Sequence, residues 1–146
     1  MTDGNRTELY ERLVKLCEEF RAHGDIGCEV TLDAAHTRFD AHVSDVVFAT
    51  VSELLTNARR HSRAKRVNVS TASRRDGSIG ITVADDGIGL PPHRRRGKPL
   101  GENAGTGLWS IDQRLRALDA VLDIDATEGH GTSAMLIVPG NLVIER

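Results

Sequence analysis

The sequence contains no run of about 18 consecutive apolar residues, which is the length that a membrane-spanning helix needs. The N-terminal stretch MTDGNRTELYERL also lacks the apolar segment of a secretory signal. Both absences predict a chain that makes no direct contact with a membrane. We therefore expect a cytoplasmic protein, or the cytoplasmic part of a membrane-bound one.

An excess of one charge sign is missing too, because 19 Lys and Arg residues balance 21 Asp and Glu residues and leave a net charge of -2. Such a chain has no overall attraction to nucleic acid, and no nucleic-acid partner is predicted. Cysteine is also scarce. Cys17 and Cys28 have neither metal-ligand nor Cys-x-x-Cys spacing, so we expect reduced thiols that pack as small hydrophobic groups.

What the sequence does contain is enough apolar material for one core, since 39% of its 146 residues are hydrophobic. Internal repeats and low-complexity tracts are absent, and a single domain over residues 1–146 is predicted. Apolar residues recur at three- and four-residue steps in three segments, which predicts amphipathic helices. These helices are expected over residues 7–23, over residues 44–61 with Ser44 as the N-cap, and over residues 105–118.

Alternating apolar and polar residues predict five strands, over residues 28–32, 67–71, 79–83, 121–126 and 133–138. The turn signal Asp76-Gly77 joins the second and third strands into a hairpin. Residues 34–41 show no period and are expected to be a connector, and the proline-containing segment 90–104 is expected to be a mobile loop. This order predicts an α+β fold, a two-layer sandwich whose mixed, mostly antiparallel sheet carries its helices on one face.

The first cluster with chemical potential lies on the second predicted helix. Glu53, Asn57 and His61 follow at four-residue steps and share one helix face, with Arg60 beside them. A carboxamide oxygen suits Mg²⁺, a carboxylate can orient a metal-bound water or take a proton, and the two basic groups can face phosphate oxygens. The competing interpretation is a solvated polar face.

The second cluster is the segment DDGIG at residues 85–89, directly after a predicted strand. Its glycines, Gly87 and Gly89, let bare backbone approach a ligand, and Asp85 offers an acceptor for an exocyclic amine. An ordinary Asp-Gly turn explains the same letters equally well.

The third cluster is Gly105-Thr106-Gly107-Leu108, which opens the last predicted helix. Backbone amides at a helix N-terminus, freed of side-chain bulk by glycine, form an anion site. An ordinary flexible helix entry is the alternative.

Taken in order, ELLTNARRH, DDGIG and GTGL resemble the three boxes of the Bergerat-type ATP-binding domain that gyrase, heat-shock chaperones, histidine kinases and mismatch-repair ATPases share. The ending NARRH, the short loop and the stretch GTGLWSIDQRLRAL are most similar to sensor histidine kinases of the nitrate-sensor and thermosensor subfamily. The resemblance implies ATP and Mg²⁺ as cofactors.

Carried over residue by residue, the resemblance makes Asp85 the acceptor for the adenine amino group and Asn57 the Mg²⁺ ligand. Glu53 becomes the candidate catalytic base or water-orienting group, and Thr132 a hydroxyl that helps Asp85 hold adenine. The remaining implied ATP-binding residues are Arg60, His61, Gly87, Gly89, Gly105, Thr106, Gly107 and Leu108.

Two features depart from the family pattern. Leu118-Asp119-Ala120 stands where the subfamily often has a Gly-Gly pair, which puts the turn there in question. The loop is unusually basic between residues 93 and 98, and this segment is either a solvated charged loop or a contact for the triphosphate or an acidic partner.

The resemblance implies transfer of the γ-phosphoryl group to a histidine on a separate helical dimerisation domain of the same parent protein, with a response regulator downstream. None of the six histidines here is followed by an acidic residue, as the acceptor of this subfamily is. We therefore expect the isolated chain to bind ATP without phosphorylating itself. Alternatives are a serine/threonine kinase of the anti-sigma-factor type and a nucleotide-binding module that transfers nothing.

Overall fold

The computed structural model describes residues 8–24, 26–32, 37–61, 64–87, 106–126 and 131–145, with the backbone alone at residues 32, 61, 106–109, 126 and 145. Within these ranges the chain forms three helices, seven strands and one 3₁₀ turn. The helices are α1 (Glu8–Ala22), α2 (Ala41–His61) and α3 (Thr106–Ala117), and the 3₁₀ turn is Gly140–Leu142. The strands are β1 (Gly27–Leu32), β2 (Arg38–Phe39), β3 (Arg66–Ser73), β4 (Ile79–Asp85), β5 (Val121–Ala126), β6 (Thr132–Val138) and β7 (Val143–Glu145).

The main sheet has five strands in the order β1-β3-β4-β6-β5. Only the β1–β3 pair is parallel, and the other three pairs are antiparallel. The hairpin of β3 and β4 turns at Gly77, whose φ of 88° suits glycine. The prediction of a mixed, mostly antiparallel sheet is confirmed.

One face of this sheet forms the core together with the helices. Alternate residues of the two central strands, such as Val69 on β3 and Ile81 on β4, are almost fully buried. Helix α1 packs on β1, α2 on β4 and α3 on β5, so the helices cover that face. Each large aliphatic side chain buried there contributes roughly 1.5–3 kcal/mol of transfer free energy. The two-layer sandwich is therefore confirmed. No helix in the described part of the chain is both long and apolar enough to cross a membrane.

Two local predictions were wrong. Helix α2 begins at Ala41, and its cap is Asp40, whose carboxylate accepts the backbone N–H of Val43 at 2.9 Å. Ser44 lies inside the helix instead, and its N–H donates to the carbonyl of Asp40 at 2.9 Å. The predicted connector over residues 34–41 also contains β2, which pairs with β7 and buries Phe39.

The turn after α3 forms without the Gly-Gly pair that the subfamily often has at this point. Asp119 adopts a left-handed conformation with φ of 58°. Its N–H donates to the carbonyl of Arg116 at 3.1 Å, and the N–H of Ala120 donates to the carbonyl of Leu115 at 2.9 Å. These two bonds define a Schellman C-cap, in which glycine is the usual residue at the left-handed position. An aspartate therefore holds a backbone conformation that glycine adopts without steric cost.

Replacing Asp119 with glycine should therefore stabilise the domain. We expect Asp119→Gly to raise the free energy of unfolding by about 1 kcal/mol, because the left-handed conformation no longer crowds a Cβ atom. Asp119→Ala is the matched control and should be less stable than the parent, since alanine tolerates this conformation worse than aspartate does. Urea denaturation of the three proteins measures the difference. A glycine variant no more stable than the alanine variant would contradict the assignment.

Candidate nucleotide-binding site

Asp85 is the last residue of β4 and lies between two neighbouring strands. Its Cα partners are Val67 on β3 and Thr132 on β6. Because side chains alternate along a strand, Asp85 shares the helix-facing side of the sheet with the buried Val83 and Ile81. An acidic side chain thus ends an otherwise apolar row.

The carboxylate of Asp85 is held by main-chain donors. It accepts the N–H of Gly87 at 2.8 Å and also the backbone N–H of Thr132. Burial raises the pKa of Asp85 above its ordinary value; the two N–H donors act in the opposite direction, and the negative charge of Asp86 adds to the increase. The result is a partly desolvated acceptor in a fixed orientation, next to the hydroxyl-bearing Thr132. The structure brings these two predicted site residues together.

Gly131 permits the close approach of β6 to the end of β4. Its φ is 88°, and a side chain at this position would collide with the carbonyl oxygen of Asp85. Gly131 is not among the glycines that the sequence motifs single out. Its left-handed conformation and its contact with Asp85 make it part of the wall beside the carboxylate.

Asp86 fastens the chain segment between α2 and β3 to the end of β4. Its carboxylate oxygen Oδ1 accepts the backbone N–H of Lys65 at 2.8 Å and that of Arg66 at 3.0 Å. Its own N–H donates to the carbonyl of Arg66 at 3.3 Å. The two donated bonds hold the pKa of Asp86 below its ordinary value. Sequence reasoning treated this residue as part of a turn and missed the contact; the doubled aspartate was the available signal.

On α2, Glu53 and Asn57 are half-buried and stand one helical turn apart, whereas Arg60 is exposed. His61 ends the helix, and only its backbone is described. Helix α2 packs against both β4 and α3. Because β3 begins at Arg66, soon after α2 ends, the last turns of the helix lie at the same end of the sheet as Asp85.

Arg59, the neighbour of Arg60, has a structural contact of its own. Its guanidinium lies 4.2 Å from the centre of the Phe20 ring and donates a hydrogen bond of 2.6 Å to the Phe20 carbonyl. These contacts join the ends of α1 and α2. Arg59 therefore fixes the end of the helix that carries Asn57.

The start of α3 also lies at this end of the sheet. The helix finishes at Ala117, next to the beginning of β5, and it packs on β5. Strand β5 ends at Ala126, the partner of Thr132. Helix α3 spans about 18 Å and β5 about 20 Å, so the helix runs back over the strand and starts near Thr132. Thr106, Gly107 and Leu108 form the first turn.

The fold thus brings the start of α3, Asp85 and the last turns of α2 to one end of the domain. Gly89, Gly105 and the predicted loop over residues 90–104 lie outside the described residues. A cavity of about 500 Å³ borders Asp85 and Asp86, with Arg66 on its rim. Neither Glu53 nor Asn57 lines this cavity. Among the described residues, the cavity therefore borders the second of the three clusters, at Asp85 and Asp86, and not the first.

The side chains near Asn57 offer few ligands for a Mg²⁺ ion. Among the residues that the structure describes, His, Cys, Asp and Glu side chains form no group of three or more. Mg²⁺ usually keeps several waters and takes ligands from substrate phosphates. One carboxamide, Asn57, with the Glu53 carboxylate a turn away, therefore suits a metal that arrives with a nucleotide better than a resident ion.

Residues 42–141 match the family described as histidine kinase-, DNA gyrase B- and HSP90-like ATPases. This stretch is more than half of the chain, and the chain therefore belongs to this ATPase family. The narrower likeness to nitrate sensors and thermosensors stays a prediction.

Individual relatives agree with the family. The chain is 30% identical over 113 residues to an uncharacterized sensor-like histidine kinase of Chloroflexus aurantiacus, covering 73% of this chain and 18% of that protein. It is 27% identical over 131 residues to the sensor histidine kinase YdfH of Bacillus subtilis, covering 90% of this chain and 31% of that protein. The chain thus spans less than a third of the length of these two curated relatives.

Among solved structures, the histidine kinase domain of the Erythrobacter litoralis EL346 blue-light activated histidine kinase superposes with a TM-score of 0.73. The alignment covers 100% of this chain and 71% of that one, at 22% sequence identity. At this identity the likeness shows the fold alone. The same sandwich therefore occurs in a histidine kinase domain.

Removing the Asp86 carboxylate should loosen the end of the sheet that carries Asp85. We expect Asp86→Ala to lower the free energy of unfolding by roughly 1 kcal/mol at neutral pH, the size of an exposed, charge-assisted interaction. Asp86→Asn keeps one acceptor oxygen and should lose less. Urea denaturation of the three proteins at several pH values measures both effects.

The pH dependence of this difference follows from the lowered pKa of Asp86. The contribution is fully present above the unfolded pKa of about 3.9 and is lost as the pH falls through the lower folded value. Equal stabilities of parent and Asp86→Ala at pH 7 would refute the role of this carboxylate.

Proposed function

We propose that this chain is the ATP-binding catalytic unit of a sensor histidine kinase. It binds Mg-ATP and presents the γ-phosphoryl group to a histidine on a separate helical dimerisation domain of the same parent protein. The observation that carries the proposal is Asp85, a half-buried carboxylate that main-chain donors hold at the end of the sheet. The family match and the histidine kinase names of the relatives support it.

Asp85 is the group that recognises the purine. Its Oδ1 already accepts the Gly87 N–H, and a carboxylate has lone pairs left for a further donor such as the adenine amino group. Burial strengthens that hydrogen bond, since water competes less for the acceptor. Thr132 stands beside Asp85 in the sheet and supplies a hydroxyl for the same base.

The phosphates lie between α2 and the start of α3. The first turn of α3, which contains Thr106, Gly107 and Leu108, offers backbone N–H groups to an anion. Arg60, at the end of α2, adds positive charge, and the neighbouring His61 adds a ring N–H donor. Gly87, Gly89 and Gly105 keep the walls free of side chains.

Asn57 would hold Mg²⁺ through its carboxamide oxygen, and the ion would supply positive charge against the phosphates. Glu53 faces the same region one helical turn earlier and orients a water or accepts a proton. The phosphorylated histidine then serves a response regulator in the cytoplasm. Phosphoryl transfer depends mainly on positioning and electrostatics, which suits a site built from main-chain amides and few charged groups.

The purine contact is tested by titrating the chain with a Mg²⁺-bound, non-hydrolysable ATP analogue. We expect saturable binding that Asp85→Asn weakens by about 10- to 100-fold, because a hydrogen bond to a charged acceptor is lost and the new amide opposes the adenine amino group. Asp123→Asn, on the opposite face of the sheet, is the matched control and should bind like the parent. Undiminished binding by Asp85→Asn would exclude the proposed adenine contact.

The same substitution should not harm the apo fold. Burial raises the pKa of Asp85, so the ionised carboxylate costs stability at neutral pH, and the neutral asparagine avoids that cost. We expect Asp85→Asn to be more stable than the parent at pH 7 by less than about 1 kcal/mol, because a half-exposed group keeps part of its hydration. The advantage should vanish below pH of about 4, where the parent is protonated too. Thermal unfolding without nucleotide separates lost binding from lost structure.

The missing acceptor is tested with γ-labelled ATP. The chain alone should bind the label without forming an acid-labile phosphohistidine, whereas addition of a dimerisation domain with its acceptor histidine should produce one on that domain. Phosphohistidine on this chain would contradict the proposal. Transfer to a serine of a small antagonist protein would instead support the anti-sigma-factor type of kinase.

A further inference from the structure

Two thiols that are eleven residues apart along the chain meet in the core. Cys17 on α1 and Cys28 on β1 are each 2% exposed, and both are free. Their side chains are hydrogen-bonded to each other where α1 packs on β1. The prediction of buried, reduced thiols is thus confirmed, but sequence spacing gave no sign that the two touch.

The surroundings of the pair distinguish the two sulfurs. The hydrogen bond to Cys28 and burial raise the pKa of Cys17. The hydrogen bond from Cys17 lowers the pKa of Cys28, which burial opposes. The positive charge of Arg21 lowers the pKa of both thiols. Arg21 is held close, because its Nη1 donates to the Cys28 carbonyl at 3.2 Å. Cys28 also lines the cavity beside Asp85, whereas Cys17 is not among its lining residues, and we therefore expect Cys28 to react first.

A small molecule can approach this pair. The cavity of about 500 Å³ beside Asp85 is also lined by Arg21 and Cys28. Hydrogen peroxide is about the size of one or two waters, so a cavity of this volume is large enough to hold it next to Cys28. Buried thiols usually react slowly because they lack such a route and a nearby cation.

We propose that Cys17 and Cys28 are a redox-active pair that a hydroperoxide converts into an intramolecular disulfide linking α1 to β1. This pair is a modification site separate from the proposed kinase chemistry, and its oxidation uses none of the groups assigned to phosphoryl transfer.

The reaction takes two steps. The Cys28 thiolate attacks one oxygen of the peroxide, the O–O bond breaks, and hydroxide leaves and takes up a proton, so that Cys28 becomes a sulfenic acid. The Cys17 sulfur then attacks the Cys28 sulfur, the S–O bond breaks, and water leaves with the thiol proton. Two thiols lose two electrons in all, and one peroxide is reduced to two waters.

The test treats the whole chain, at low concentration and under native conditions, with hydrogen peroxide that catalase then removes. Titratable thiols in the denatured product should fall from two to none. The intact mass should fall by about 2 Da, a proteolytic digest should contain the Cys17–Cys28 cross-linked peptide, and dithiothreitol should restore both thiols. Two surviving thiols, added oxygen on either cysteine, or a disulfide-linked dimer would each overturn the proposal.

Single serine variants then identify the attacking sulfur. Cys17→Ser leaves Cys28 without a resolving partner, so dimedone should trap its sulfenic acid. Cys28→Ser should be labelled at Cys17 at least about fivefold more slowly, because burial continues to raise the pKa of that thiol. Equal labelling would refute the assigned order. The result on the parent chain stands even if a variant folds poorly, which circular dichroism would detect.

Discussion

The hydrogen bonds that Asp86 accepts from the main chain of Lys65 and Arg66 hold the start of β3 against the end of β4, beside Asp85. They join the segment that follows α2 to the end of β4, and so fix the helix that carries Asn57 relative to the strand that carries Asp85. Ion pairs between Asp86 and the side chains of Lys65 or Arg66 would hold the two segments less firmly, since exposed ion pairs are weak and mobile. A charged acceptor for two adjacent N–H groups is rigid as well as favourable.

Asp85 and Asp86 are adjacent, yet their environments shift their pKa values in opposite directions. The exposed Asp86 accepts two main-chain N–H groups, and its charged form is favoured. Asp85 ends an apolar row, and burial disfavours its charged form despite two donors of its own. A group that reduces the stability of the empty domain persists most readily where a ligand uses it. The second aspartate supports the structure, and the first is available for recognition.

The fold was predictable where a pattern is local. Helical and strand periodicity located the three helices and all five strands of the main sheet, and glycine and aspartate marked the hairpin turn at Gly77. The N-cap error was local, because Asp40 and Ser44 both suit a cap, whereas the other misses come from pairing between distant residues. The two-residue strand at Phe39 exists only because β7 lies beside it. The hydrogen bond between the Cys17 and Cys28 thiols likewise joins two elements, α1 and β1. No periodic pattern in the sequence predicts such a contact.

One cross-strand row connects these features. Cys28, Val67, Asp85 and Thr132 are successive Cα partners on β1, β3, β4 and β6. Neighbouring strands are about 4.8 Å apart, so Cys28 lies roughly 10 Å from Asp85 within one rigid sheet. Strand β1 is at the edge, however, and pairs with β3 alone. A covalent link on β1 therefore constrains α1 and the edge strand, while the β4–β6 ladder that orients Asp85 toward Thr132 keeps every one of its hydrogen bonds.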